Sequence, residues 1–118
     1  MNDLKLSDYV TLITVVPESH ADKVREAIGK AGGGESGNYA FCSFSVKGIG
    51  RFMPKQGANP FQGEIGTLET CPEERIEAIC AKDRLEKVIE AIKQAHPYEE
   101  TVIDLYPIYE IGLKRSKH

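Results

Sequence analysis

The 118-residue chain has no tryptophan, only three cysteines and only two methionines. Cys42, Cys71 and Cys80 are odd in number, and no two stand in the Cys-x-x-Cys spacing of a zinc or redox dithiol pair. They read as small apolar residues, with Cys71, in a stretch that reads as loop, the one candidate for a reactive thiol. Basic charge is also scarce. Fifteen Lys and Arg against eighteen Asp and Glu give a net charge of -3, so the basic stripe needed to hold a phosphate backbone is missing and nucleic acid is not an expected partner. No run of about 18 apolar residues occurs, and no apolar stretch of signal-peptide length follows Met1, so a membrane span is not expected and the protein reads as cytoplasmic. His-Glu-x-x-His, a Walker lysine motif, a helix-opening Gly-x-Gly-x-x-Gly and a Gly-x-Ser-x-Gly elbow are all absent. With no nucleophile, base or metal set to assemble, a non-enzymatic protein is the favoured reading, and no cofactor can be named.

What is present is an ordinary balance of 41% hydrophobic and 28% charged residues, suited to one globular domain over 1–118 with its packed part over 8–110. Tyr9 to Val16 is rich in β-branched residues, stops at Pro17 and is apolar on both alternating faces, which predicts a strand covered on both sides. Ser19 is a candidate N-cap for a helix carrying Ala21, Val24, Ile28 and Ala31 at helical spacing and ended by Gly32-Gly33-Gly34. A second strand is predicted over Asn38 to Val46. From Lys47 to Pro72 glycines and prolines break every period, predicting a long excursion. Alternation resumes from Glu74 to Cys80. Asp83, with Glu86 three residues on, then predicts a capped helix striped by Leu85, Val88, Ile89 and Ile92, and Thr101 to Tyr109 predicts a last strand.

This order is the split β-α-β pattern of an α+β, ferredoxin-like βαββαβ sandwich with a long loop between strands 2 and 3. Right-handed crossovers put both helices on one face of the sheet. The other face, with Ile13 and Val15 or Ile103 and Leu105 upon it, would then be an apolar patch in need of cover. Self-association is the expected cover, with the glycine-rich loop folding back over the sheet as the competing reading.

Two stretches carry the candidate sites. In Gly48-Ile49-Gly50-Arg51 the glycines would let backbone N–H groups approach a small anion, with Lys47, Arg51 and Lys55 supplying charge, against the plainer reading of a glycine-punctuated hairpin. In Ala95-His96-Pro97-Tyr98-Glu99-Glu100, proline pushes His96 out of helical geometry, so His96 ends the second helix. Successive strand residues point to opposite faces, so Glu99 and Glu100 cannot both converge with His96 on one ion. A structural corner, contact with an organic ligand, and a metal site shared between subunits through His96 and one glutamate all stay open. His20 and His118 read as solvated.

Taken together, Gly37-Asn38-Tyr39 with Cys42, Gly48-x-Gly50-x-Phe52-x-Pro54, Gly57-Ala58-Asn59-Pro60, Gly63-x-x-Gly66 and Ala95-His96-Pro97-Tyr98-Glu99-Glu100 resemble the insertion domain of the NIF-three-like family. Larger members of that family are dinuclear-metal proteins labelled type-two GTP cyclohydrolase I homologues. The resemblance runs from Tyr9 to Tyr109 and implies a fold similar to the CutA and PII proteins, hence a trimer binding small ligands or protein partners in clefts between subunits. Because the flanking domains that carry the family's metal ligands have no counterpart in this sequence, it does not imply a two-metal site or cyclohydrolase activity here. A hydrolase is the least expected reading.

Overall fold

The computed structural model describes residues 4–110. Four strands and two helices follow in the order β1 (Leu6–Pro17), α1 (Ala21–Lys30), β2 (Phe44–Phe52), β3 (Glu69–Ala81), α2 (Leu85–Ala95) and β4 (Ile103–Tyr109). The sheet order is β2-β3-β1-β4 and every pair is antiparallel. This is the expected α+β architecture.

Each helix is entered through a single 3-10 turn, Glu18–His20 before α1 and Lys82–Arg84 before α2. Those turns displace the predicted caps. His20 and Arg84 hold the N-cap positions, neither makes a side-chain capping bond, and Ser19 Oγ instead lies 2.8 Å from His20 Nδ1. α1 ends where Gly32 takes φ +101, a left-handed conformation that suits glycine. Gly34 then donates its N–H to Ile79 O at 2.7 Å, tying the helix exit to β3.

Both helices lie on one face of the sheet. Val24 and Ile28 of α1 and Val88 and Ile92 of α2 pack on Val10, Leu12 and Val16 of β1 and Ile76, Ala78 and Cys80 of β3, all nearly inaccessible to water. Each large aliphatic side chain among them contributes about 1.5–3 kcal/mol by leaving water. Among the described residues the opposite face has no helix. Phe44, Val46 and Tyr106 stand there 65%, 49% and 50% exposed, at positions paired with Glu77, Arg75 and Thr11.

The second strand begins six residues later than its alternation predicts, and the excursion shrinks to residues 53–68. Ser36 and Tyr39 exchange backbone hydrogen bonds around Gly37 (φ 56), and Phe41 has φ 58, a left-handed value that no continuing strand can hold. The chain therefore cannot enter the sheet before Phe44. At the other end, β3 reaches past Pro17, the last partner on β1, so Pro72 pairs only with Ile49 and no ladder bond from its missing N–H is needed on the β1 side. Cys71, read as a small apolar residue in a loop, is buried as such but lies in a strand. The β2–β3 hairpin projects as an arm: the radius of gyration is 16.3 Å with extents of 54 × 30 × 24 Å, against about 13–14 Å for a compact chain of this length. Among the described residues no helix is long and apolar enough to cross a membrane.

Candidate functional site

Where the arm leaves the body, the chain encloses a cleft of about 610 Å³. Its lining comes from the end of β2 (Gly50, Arg51, Phe52), the following connection through Gln62, Val15 of β1, Glu73 of β3 and the segment from Tyr98 to Val102. Four distant parts of the sequence therefore meet, and the corner after α2 makes them meet.

That corner is set by His96-Pro97. His96 is the C-cap of α2 in an extended conformation (φ -81, ψ 132), as the following proline requires, and donates its N–H to Ile92 O at 2.8 Å. The residue is 5% exposed. Nδ1 accepts the N–H of Tyr98 at 3.2 Å, so the ring proton sits on Nε2 and is donated to Val15 O at 2.7 Å. Burial pushes the imidazole below its ordinary pKa, with the Val15 bond opposing. With both nitrogens engaged, His96 is a strut that orients Tyr98 and lies behind the cleft rather than in it. Thr14 Oγ1 secures the next stretch by donating to Val102 O at 2.7 Å.

Tyr98 turns its hydroxyl to Glu73 Oε2 at 2.5 Å, with Cys71 Sγ at 3.7 Å. Burial and that bond both hold the phenol protonated well above its usual range. Glu73 itself is only 9% exposed. Gly50 makes room for it: a Cβ at Gly50 would stand 1.7 Å from Glu73 Oε1. The glycine serves the carboxylate beside it. The adjacent Glu74 points to the helix face, where Arg25 Nη1 pairs with it at 2.6 Å, whereas among the described residues no cation pairs with Glu73. The connection closes the roof through Asn59 N–H to Glu99 Oε1 at 2.8 Å and through Phe61, whose ring stands edge-on to His20 at 5.4 Å and 6.3 Å from Tyr98.

Of the residues singled out in the sequence, Gly50, Arg51, Lys55, Glu99 and Glu100 line this cleft. Lys47 and Gly48 line an adjoining depression of about 340 Å³ with Ile49 and Arg75, which shares Val15 and Glu73 with the cleft, and Lys47 Nζ lies 3.9 Å from Glu18. Gly48 to Arg51 are extended strand, the plainer of the two readings of this stretch, and their N–H groups alternate in direction instead of converging on one ligand. His96, Glu99 and Glu100 do not converge, and among the described residues no group of three His, Cys, Asp or Glu side chains is arranged to hold a metal ion. The sequence reading missed Glu73, Tyr98, Phe52 and Phe61. Alternation of Cys71, Glu73, Arg75 and Glu77 on one strand face was the available signal for Glu73.

No family profile matches the chain. Over 101 residues it is 48% identical to the GTP cyclohydrolase 1 type 2 homolog of Halalkalibacterium halodurans, an alignment covering 86% of this chain and 27% of that protein. The crystal structure of a Bacillus cereus protein related to NIF3 superposes with a TM-score of 0.74 at 40% identity, covering 90% of this chain and 26% of that one. The divalent cation tolerance protein CutA of Archaeoglobus fulgidus superposes with a TM-score of 0.61 at 14% identity, covering 89% and 91% of the two chains, a likeness of fold alone. The chain thus spans about a quarter of the length of the curated relatives it matches and nearly the whole of CutA.

Proposed function

Because the chain is homologous to one segment of the NIF3-related GTP cyclohydrolase 1 type 2 homologs and has the CutA fold, we propose that it is a self-associating, non-enzymatic binding module. Copies of the chain, three in number, cover one another's open sheet faces, and the clefts beside the arms hold a small ligand or a segment of a partner protein. Cleft residues Gly50, Arg51, Lys55, Glu99 and Glu100 make the contacts, and Lys47 and Gly48 serve the depression alongside. His96 acts by holding Tyr98 in place. Three free cysteines fit a reducing compartment, the cytoplasm.

The observation that carries this reading is the open sheet face, where Phe44, Val46 and Tyr106 are about half or more exposed in a single copy. Burying these side chains gives association a driving force that scales with the apolar area removed from water. The unpaired edges of β2 and β4 offer main-chain hydrogen bonds to the same end. Light scattering over a dilution series tests it. A mass of three chains that persists at low concentration supports the module, and a single-chain mass at high concentration rejects it.

A further inference from the structure

We propose that the cleft binds a small organic cation, a primary amine or guanidinium carried on an apolar body, with its charge set against Glu73. This deepens the binding-module reading and rests on the cleft, not on the number of subunits.

The floor of the cleft carries the argument. Glu73 is nine-tenths buried, its Oε2 takes the Tyr98 hydroxyl, and Oε1 accepts no hydrogen bond from any described residue. The nearby cations pair with other carboxylates: Arg25 with Asp22 and Glu74, Arg75 with Glu77, and Lys47, which shares the adjoining depression with Glu73 and Arg75, with Glu18. No buried side-chain oxygen among the described residues lacks a partner, so Oε1 is open to the cleft, where an ammonium or guanidinium can reach it with a charge-assisted hydrogen bond.

The walls state what the rest of the ligand is. Phe52, Phe61 and Tyr98 present aromatic surface to the same space, with Tyr98 6.3 Å from each of the other two ring centroids. Met53, Pro54 and Pro60 add apolar surface. Aromatic faces attract a cation and exclude water from an apolar body. The volume, about 610 Å³, is in the range of small-molecule sites. Arg51, Lys55, Glu99 and Glu100 also line the cleft, so with Glu73 the lining carries a formal net charge of -1. A free anion would meet Glu73 as a like charge.

Calorimetry on the full chain at neutral pH with two indoles of opposite charge, tryptamine and indole-3-propionate, tests this. Tryptamine is expected to bind about tenfold or more tightly than the acid, the scale of one hydrogen bond to a charged group. Glu73→Gln, which keeps an acceptor for Tyr98, should abolish that preference. Phe61→Ala, at a half-exposed position on the roof, should weaken the amine several-fold without lowering the melting temperature. Equal or tighter binding of the acid, a preference that survives Glu73→Gln, or no binding of either indole overturns the proposal. Light scattering on the same samples keeps the two readings apart. An unchanged mass in Glu73→Gln is expected, and a changed mass would assign the cation to a side chain of a second copy and reject a free ligand.

Discussion

Arg75 and Ile76 are neighbours on β3 and face opposite environments. Ile76 is sealed under α1 and α2, while Arg75 lies in the open beside Glu77 and opposite Val46. The same division runs the length of the sheet. On the roofed face, Val10, Leu12 and Val16 meet helix residues on every side. On the other face, Ile13 of the central strand is 3% exposed, but Phe44 and Tyr106 near the two edges are half or more exposed. A sheet with one dry face and one wet, partly apolar face is stable as a fold and unfinished as a surface. Stability should therefore reside on the first face and association and binding on the second.

The largest expected effect tests the first half of that division. Leu12→Ala removes a fully buried side chain and should lower unfolding stability by about 2–5 kcal/mol, measured by urea titration at concentrations where association is held constant. A loss below about 1 kcal/mol would mean that the roofed face is not the main source of stability.

His96 joins the two regions, since its strut runs from the end of α2 to Val15 on the open face. His96→Ala strands Val15 O and the Tyr98 N–H, at a cost of about 1–3 kcal/mol. The wild-type protein should also show a pH signature. The folded-state pKa lies below the ordinary 6.5, so the unfolded chain binds the proton more readily. The contribution of neutral His96 is fully present above 6.5 and is lost as pH falls below it through the folded value. Stability measured from pH 7.5 downward should decline, and His96→Gln should flatten that decline. An identical slope in both proteins would show that the imidazole does not titrate as a buried neutral group.

The packing periods were legible in the sequence because they are local. Val24 and Ile28, and Val88 and Ile92, recur at helical spacing, and the β-branched run of β1 alternates as a strand must. What was not legible depended on contacts between distant residues. The start of β2 was misplaced because Phe41 adopts φ 58 with its ring over Gly29, and nothing in Asn38 to Cys42 announces that. Likewise Pro72 argued against a strand until β3 was seen to outrun β1. The cleft needs Val15, Gly50, Glu73 and Tyr98 at one point, and a one-dimensional pattern cannot bring them together. Gly50 was noticed for its missing side chain, but that the space is taken by the Glu73 carboxylate was not legible.

A smaller effect sharpens the boundary of the roofed region. Gly29 lies in α1, where alanine is normally better than glycine by about 0.5–1 kcal/mol. Here a Cβ would stand 2.0 Å from the Phe41 ring. Because that ring is 57% exposed and can swing away, Gly29→Ala should cost about 1 kcal/mol. In a Phe41→Ala background the same substitution should become stabilising. The double-mutant cycle measures the coupling, and additive effects would mean that Phe41 does not belong to the α1 packing.

The smallest expected change in folding stability is on the open face, and there it carries the most information. Phe44 pairs with Glu77 at the outer strand and is 65% exposed, so Phe44→Ser removes little buried surface within one copy. Its effect on unfolding of dissociated chains should stay within about 0.5 kcal/mol. Its effect on mass should be large, because exposed apolar side chains become costly to lose once a second copy covers them. Tyr106→Ser, on the opposite edge of the same face, should act alike. If both variants keep the wild-type mass at every dilution while Leu12→Ala destabilises as expected, the division of labour between the faces fails on its second half alone. Copies would then have to meet through the β2 and β4 edges or the arm, where main-chain hydrogen bonds make the contact and side-chain substitution leaves it intact.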